Sequence, residues 1–285
     1  MKILLTGKPG SGKSTVIAKF IDTFSGKSKW VKTEEIRNET GDRVGFRAVN
    51  STGRTEIISH KFDINSPYLV GANRVDLPKI DEMFTVPLAG SSNDELVIVD
   101  EIGPIQMLSD NFKKELDRLF LSEKNLLATI HYKDDQVRKY REDNNVIVLE
   151  VTDVNRDLLP NVLINIFENT DKLGQLTDTQ RVSVVESLKT YLSESKFIEA
   201  RKLFKNVLIY LLESRIKPLD GIRFEVSGNH GKYVVTNTKG GYKCECDFFL
   251  GRNSYKEAGE CSHIQAVKLL DKTNIKTKNT HQTSW

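Results

Sequence analysis

The stretch KILLTGKPGSGKS, residues 2–14, decides the fold of the first part of this chain. KILLT predicts a buried strand, and GKPGSGKS, Gly7–Ser14, matches the pattern G-x-x-x-x-G-K-[ST]. The next residues, Ser14–Phe24, have the apolar spacing of a helix. Glycines let the backbone turn tightly, so that consecutive N–H groups converge on phosphate oxygens at a helix N-terminus. The sequence therefore predicts a phosphate-binding loop between a strand and a helix.

Each polar residue of this loop has a predicted partner on a nucleotide. Lys13 is expected to reach the β- and γ-phosphates, and Ser14 to offer its hydroxyl to Mg²⁺. Thr15 is placed to contact the α-phosphate. The other residues that we assign to phosphate binding are Gly7, Lys8, Pro9, Gly10, Ser11 and Gly12.

Two adjacent carboxylates end a second apolar run, LVIVDE, residues 96–101. Asp100 is expected to hold the Mg²⁺ shell, and Glu101 to orient or deprotonate the water that attacks the γ-phosphate. Thr129 and His131, at the end of the run LLATI, are further candidates because ligand groups gather at the carboxyl ends of parallel strands. For a cation that stabilises the transition state, the sequence leaves four candidates open: Arg37, Arg43, Arg47 and Arg74.

Apolar runs alternate with amphipathic stretches through the first 170 residues. Such alternation predicts an α/β fold, a mostly parallel sheet with helices on both faces. The segment Glu34–Phe62 interrupts it with β-branched residues and turns, which predicts one or two inserted β-hairpins.

Together these motifs resemble the cancer-related nucleoside-triphosphatase family. The similarity includes KTEEIRNETGDRVGF (residues 32–46), VDEIGP (residues 99–104) and VTDVNRDLL (residues 151–159). The resemblance implies a P-loop NTPase (RecA-like) fold and hydrolysis of ATP, GTP and other triphosphates to the diphosphate and phosphate. It also implies that Asn155 and Arg156 lie near the nucleotide. The chain departs from the family pattern at Gln106, where an acid is usual, and near Asn73, where a tyrosine is expected.

The second part of the chain has a different pattern. Residues 171–218 carry apolar positions at helical spacing and predict a connector of two antiparallel helices joined near SESK. Short alternating strands and a final helix, His263–Leu270, predict a small α+β module at 219–271. Residues 272–285 are polar and are expected to be disordered. The predicted domains are thus the triphosphatase domain (1–170), the connector, the module and the tail.

All three cysteines of the chain lie in that module, with the spacing C-x-C-x₁₄-C-x-H. Three thiols and an imidazole, Cys244, Cys246, Cys261 and His263, form a complete tetrahedral Zn²⁺ set with no open position, so the zinc site is expected to be structural. An odd number of cysteines argues against disulfides. The pattern resembles the SWIM zinc finger, which implies binding to nucleic acid or to a protein partner.

Composition limits the class of protein. The chain has 285 residues, 38% hydrophobic and 28% charged, and a net charge of +3. We find no apolar run long enough to cross a membrane and no secretory signal, so we expect a cytoplasmic location. A mild basic excess after residue 220 also favours an anionic partner such as nucleic acid.

Three functions remain open from the sequence. The first is an Mg²⁺-dependent nucleoside-triphosphatase with a recruiting zinc finger. The second is a nucleoside or nucleotide kinase, although the segment Ser109–Asn155 lacks an arginine-rich lid. The third is a nucleotide-gated module that binds nucleic acid.

Overall fold

The computed structural model describes residues 1–90, 95–247 and 260–280, and the chain divides into two compact units, Met1–Pro160 and Asn161–Trp285. The division lies ten residues before the predicted end of the first domain. The predicted helical connector also belongs to the same unit as the predicted zinc module. These two segments form one unit because the last helix of the chain packs against both predicted connector helices.

The first unit alternates strands and helices, as predicted. Its strands are β1 (Lys2–Thr6), β2 (Ser28–Arg37), β3 (Arg43–Asn50), β4 (Thr55–His60), β5 (Leu69–Val70), β6 (Asn73–Val75), β7 (Leu96–Ile102), β8 (Leu126–Ile130) and β9 (Val146–Glu150). Its helices are α1 (Lys13–Thr23), α2 (Leu77–Ile80), α3 (Val86–Ala89), α4 (Asp110–Leu121) and α5 (Arg138–Arg141). A further helix, α6 (Leu159–Phe167), crosses the division between the units.

These strands form one mixed sheet in the order β5-β6-β4-β3-β2-β7-β8-β1-β9. Five adjacent strands are parallel to one another: β2, β7, β8, β1 and β9. The other four, β3, β4, β5 and β6, are antiparallel to their neighbours. Since the carboxyl ends of parallel strands meet at one edge, the ends of β1, β7 and β8 lie together. The phosphate loop begins directly after β1, and the two predicted acids lie at the end of β7.

The hairpins predicted for Glu34–Phe62 are present as β2–β3 and β3–β4, and they extend the edge of the sheet. The ten-residue strand β2 pairs in parallel with β7 as far as Lys32, opposite Asp100. From Val31 to Arg37 it pairs in antiparallel register with β3. Beyond Lys32, β2 no longer pairs with β7, so the backbone groups of its last residues form strand hydrogen bonds with β3 only.

The core of the first unit forms because the central strands are apolar on both faces. The residues of β8 are all buried, as are those of β7 except Glu101. Helices cover the sheet with apolar stripes, for example Phe112, Leu116 and Leu119 of α4. The Ser109 hydroxyl accepts a hydrogen bond from the Phe112 N–H at 3.0 Å and so caps the start of α4.

The second unit combines helices with a small antiparallel sheet. Its helices are α7 (Asp178–Ser193), α8 (Phe197–Lys202), α9 (Leu208–Leu212) and α10 (Ser262–Thr280), and a π-helical turn, Leu203–Val207, joins α8 to α9. The sheet has the order β10 (Ile216–Pro218), β11 (Arg223–Gly228), β12 (Gly231–Thr238) and β13 (Gly241–Cys244).

The last helix differs from its prediction. It begins at Ser262 and continues to Thr280, whereas the sequence predicts an end at Leu270 and disorder after residue 271. No proline or glycine follows Leu270 before Thr280, so nothing in the chain stops the helix there. The remaining predicted tail, 281–285, lies outside the described residues. Across the described ranges, no helix is both long enough and apolar enough to span a bilayer.

Candidate functional site

The phosphate loop is shaped by glycines at positive φ. Gly7 has φ 144°, and a Cβ there would lie 2.8 Å from both the Ser11 hydroxyl and the Val151 carbonyl. Gly12 has φ 97° and immediately precedes α1. No side chain of the described residues caps the start of α1. Its first N–H groups are therefore available to a phosphate.

The polar side chains of the loop are held by the loop itself. The Lys13 ammonium donates to the carbonyls of Gly7 at 3.0 Å and Lys8 at 3.3 Å. The Ser11 hydroxyl is buried and has no hydrogen-bond partner in the part of the chain that the structure describes. An ammonium resting on carbonyls, beside an unpaired donor, suits an anion that would replace these contacts.

Asp100 lies at the end of β7, and its side chain accepts hydrogen bonds from two hydroxyls. Ser14 donates to its Oδ1 at 3.2 Å and Thr129 at 2.5 Å. Burial nevertheless raises the pKa of Asp100 to about 6; the two hydroxyls and Lys13 oppose this increase, and Glu101 adds to it. A buried carboxylate in such a position would be stabilised by a cation.

Glu101 lines the same cavity as Asp100. The pairing of β7 with β8 is interrupted between Val99 and Ile102, so neither acid has a partner residue on β8, although Asp100 still pairs with Lys32 of β2. Burial raises the pKa of Glu101, and the nearby Lys13 ammonium opposes this increase. A Cβ at Gly103 would lie 3.3 Å from the Glu101 carboxylate carbon, so glycine there leaves this side chain its room.

The cavity has a volume of about 1010 Å³. From the loop, it is lined by Gly7, Pro9, Gly10, Lys13 and Ser14. Three aromatic side chains, Phe46, Phe62 and Tyr132, lie around it and offer flat apolar surfaces of the kind on which a nucleobase stacks.

Two of the four candidate arginines lie at the cavity. Arg37 and Arg43 line it, and both form ion pairs with Glu35, at 3.1 Å for Arg43. The other two do not line it: Arg47 pairs with Glu34 at 2.8 Å, and Arg74 donates to the Ser66 carbonyl at 2.5 Å. Arg37 and Arg43 therefore remain the candidates for the cation that stabilises the transition state.

Thr129 and His131 have separate roles in this geometry. Thr129 is fully buried and donates to Asp100, so it acts on that carboxylate. His131 lines the cavity, and its Nδ1 accepts from the Asp134 N–H at 3.1 Å. Burial lowers the pKa of His131.

Asn155 and Arg156 do not line the cavity. The buried Asn155 amide accepts from the Thr152 N–H at 2.9 Å and donates to the Glu150 carbonyl at 2.8 Å, so it shapes the loop after β9. Arg156 pairs with Asp153 at 2.9 Å and packs beside the phosphate loop, since a Cβ at Gly12 would lie 3.2 Å from its Cδ. Their proximity to a nucleotide stays a prediction.

Sequence reasoning missed Thr33 and the role of Gln106. The Thr33 hydroxyl donates to the Asp100 carbonyl at 2.8 Å, and the buried Gln106 amide donates to that hydroxyl at 3.3 Å. The two form a chain of hydrogen bonds behind the acidic strand. Thr33 belongs to the stretch 32–46 that carries the family resemblance and Gln106 is a departure from the family pattern, but only the strand register brings Thr33 beside Asp100.

The second unit brings the four predicted zinc ligands together. The ligand atoms of Cys244, Cys246, Cys261 and His263 all lie within 4.8 Å of one another. The three cysteines are buried and form no disulfide among the described residues, and the Cys244 Sγ is 3.7 Å from the His263 Nδ1. A hydrogen bond from the Cys244 thiol lowers the pKa of Cys261 to about 4, so the cluster favours a thiolate.

Aromatic rings and a glycine fix the His263 ring. Tyr233 and Tyr210 stack near it, with ring centroids at 4.6 and 5.6 Å. A Cβ at Gly228 would lie 2.5 Å from the His263 Nε2, so only glycine admits the ring in this position. Its Nδ1 is thereby directed to the cysteines.

A phosphate loop between β1 and α1, with two acids at the end of the parallel strand β7 on the far side of β8, defines the class of P-loop nucleoside triphosphate-binding proteins. A family described as NTPase matches residues 2–164, more than half of the chain, and the chain belongs to this family. It is a nucleoside-triphosphatase.

Named relatives match the same part of the chain. Nucleoside-triphosphatase THEP1 of Thermotoga sp. (strain RQ2) is 35% identical over 170 residues, which are 59% of this chain and 96% of the relative. The THEP1 protein of Methanosarcina acetivorans is 34% identical, over 59% of this chain and 97% of its own. The crystal structure of THEP1 from Aquifex aeolicus superimposes with a TM-score of 0.54 at 28% identity, covering 59% of this chain and 99% of that one.

Proposed function

We propose that the chain hydrolyses ATP, GTP and other nucleoside triphosphates to the diphosphate and phosphate with Mg²⁺, and that Lys13, Ser14, Asp100 and Glu101 carry the reaction. One observation carries the proposal: all four side chains line a single cavity. The name of the relatives supports hydrolysis, although it says nothing of base preference.

The donor set fits a magnesium ion. Adjacent oxygen ligands of an octahedral Mg²⁺ site, each about 2.1 Å from the ion, are about 3.0 Å apart. The Ser14 Oγ and the Asp100 Oδ1 are 3.2 Å apart. Ser14 and Asp100 would hold the ion, which would supply positive charge to offset the negative charge of the phosphates.

The residues of the chain divide the remaining work. The Lys13 ammonium would exchange the Gly7 and Lys8 carbonyls for phosphate oxygens. Glu101 would accept a hydrogen bond from the attacking water, and its raised pKa brings it closer to the range of an effective base. Arg37 or Arg43 would approach the transferred phosphoryl group on leaving Glu35.

Replacing Glu101 by glutamine tests this assignment. We expect phosphate release to fall by roughly 10²- to 10⁴-fold, the usual contribution of a general base, while triphosphate binding persists. The matched control is Glu123→Gln, an exposed acid that does not line the cavity. A panel of triphosphates, assayed for phosphate release, gives the base preference. Full activity of the Glu101 variant would remove Glu101 from the mechanism.

For the second unit, we propose a structural zinc site that recruits the enzyme to nucleic acid or to a protein. In a tetrahedral zinc site the Zn–S bond is about 2.3 Å and the Zn–N bond about 2.05 Å, so a sulfur and a nitrogen ligand of the same ion lie about 3.6 Å apart. The observed distance from the Cys244 Sγ to the His263 Nδ1, 3.7 Å, fits this geometry. Four protein ligands leave no open position, which supports a structural role.

The kinase alternative lacks support in the structure. A kinase lid supplies arginines that close over the phosphates, and the segment Ser109–Asn155 contains three arginines. Arg118 pairs with Glu115 at 2.5 Å and Arg138 with Glu142 at 2.7 Å, and Arg141 donates to the His131 carbonyl. All three are thus engaged by the protein. Assaying product formation with added nucleoside, where a phosphorylated nucleoside would signal transfer, separates the two activities.

A further inference from the structure

A second cavity lies wholly within the second unit. It has a volume of about 620 Å³ and lies among α7, α8, β13 and α10. Its walls carry Tyr191, Glu199, Tyr242 and Gln265 among other residues. The zinc ligands do not line it, so it is a site distinct from the metal cluster.

Gln265 presents an unsatisfied amide in this wall. The residue is 1% exposed, and neither its Nε2 nor its Oε1 has a hydrogen-bond partner among the described residues. A buried amide without partners is costly, because the desolvation of each polar atom is not compensated. It accordingly calls for a ligand that both donates and accepts a hydrogen bond.

Glu199 is the second group of the proposed site. It is 6% exposed and lines the same cavity. Lys196 pairs with Glu194 at 2.6 Å and Lys268 pairs with Glu260, so within the described ranges neither lysine of the cavity forms an ion pair with Glu199. A buried carboxylate that forms no ion pair with the lysines of its own cavity favours a cationic ligand.

The charge of the whole cavity agrees with that preference. Four carboxylates and two lysines line it, a formal charge of −2 at neutral pH: Glu194, Glu199, Glu260 and Asp271, with Lys196 and Lys268. The Asp271 carboxylate accepts a hydrogen bond from the Tyr242 hydroxyl at 2.6 Å, which orients it without neutralising it. A polyanion such as nucleic acid would be repelled here.

We propose that this cavity binds a basic peptide segment of a partner protein, with an arginine side chain at Glu199 and the adjoining peptide group at Gln265. A guanidinium presents several donors in one plane and pairs with a carboxylate through two of them. A peptide group supplies one donor and one acceptor, which complement the Gln265 amide. Tyr191 also lines the cavity, and a tyrosine ring attracts a cation placed over its face.

The first experiment compares two peptides on the full-length protein. Acetyl-Gly-Arg-Gly-amide and the same peptide with citrulline differ in charge and hardly in shape. We expect the arginine peptide to bind at least tenfold more tightly by isothermal titration calorimetry. Equal affinities, or no binding of either peptide, would overturn the proposal without any mutation.

Variants then locate the site. Glu199→Gln is nearly isosteric and should weaken the arginine peptide at least tenfold, leaving the citrulline peptide unchanged. Glu186→Gln, which removes an exposed acid of α7 outside the cavity, is the matched control and should change neither affinity. Gln265→Leu should weaken both peptides, because it removes the partner of the peptide group. Circular dichroism checks that each variant is folded.

A nucleic-acid ligand would give the opposite pattern. A single-stranded oligonucleotide that loses affinity in Gln265→Leu but gains affinity in Glu199→Gln would assign the cavity to nucleic acid and overturn the proposal. We expect no competition between an oligonucleotide and the arginine peptide. Phosphate release from triphosphates is measured separately, so failure here leaves the proposed reaction untouched.

Discussion

Asp100 is held in place by hydrogen bonds from three neighbouring hydroxyl groups. Ser14 and Thr129 hydrogen bond to its side chain, and Thr33 to its backbone carbonyl. The sequence predicts Asp100 and Ser14, because their motifs are local patterns of a strand end and a loop. It cannot predict that Thr129 and Thr33 converge on Asp100, because that contact depends on the register of three strands.

Thr129 therefore tunes the magnesium affinity that we propose for Asp100. In Thr129→Val the Asp100 carboxylate loses a hydrogen bond, which in charged cases is worth about 1.5–3 kcal/mol. Its pKa rises further above the present value of about 6, because that hydrogen bond lowers it. We expect the Mg²⁺ concentration for half-maximal phosphate release to rise about tenfold at neutral pH. Thr129→Ser keeps the hydroxyl and should behave like the wild type; equal behaviour of both variants would contradict this role.

Gly228 tests the position of the His263 ring. An added methyl group would lie 2.5 Å from the ring Nε2 and displace it. We expect Gly228→Ala to reduce bound zinc and the melting temperature of the second unit, with phosphate release little changed. Zinc content is measured with a chromophoric chelator. Gly221→Ala is the control, because a Cβ there meets no atom within 4 Å; equal zinc content in the two variants would contradict the role of Gly228.

At the scale of elements, the sequence predicts β1, α1, β7, α4, β8 and β9, because fully buried parallel strands and amphipathic helices have distinct patterns. It also predicts the hairpins of Glu34–Phe62, but it does not predict that the first half of β2 pairs in parallel with β7. Half of that strand pairs with β7 and half projects beyond it, and only long-range pairing distinguishes an extended sheet from a separate hairpin. The length of α10 is also missed, because a polar helix end resembles a disordered tail.

The proposed metal links the small sheet to α10. Cys244 ends β13, and Cys261 and His263 flank the start of α10. Structural zinc contributes on the order of 10 kcal/mol to the folding of small modules. We expect a zinc chelator, with Mg²⁺ in excess, to increase amide exchange in β11–β13 and to leave phosphate release intact. Unchanged exchange after complete zinc removal would show that packing alone holds the sheet.

At the scale of the whole molecule, the family match ends four residues after the first unit, at residue 164 against Pro160. The family match covers 2–164, and the relatives are almost wholly spanned by the part of this chain that they match. The second unit therefore adds to a domain that is a complete protein elsewhere.

A shortened chain tests that independence. A fragment of residues 1–168 ends just after α6 and keeps the whole cavity of the phosphate loop. We expect its phosphate release per molecule to stay within about twofold of the full chain. A soluble, folded fragment without activity would show that the second unit takes part in the reaction.

The ion pairs of Glu35 have a consequence for product release. Both arginines at the cavity are paired with this one carboxylate, so an incoming anion must compete with it. A triphosphate with its full charge competes better than the diphosphate or phosphate left after hydrolysis. Glu35 would thus compete with the diphosphate and phosphate for the two arginines. The enzyme should therefore resist inhibition by the phosphate that accumulates during the reaction.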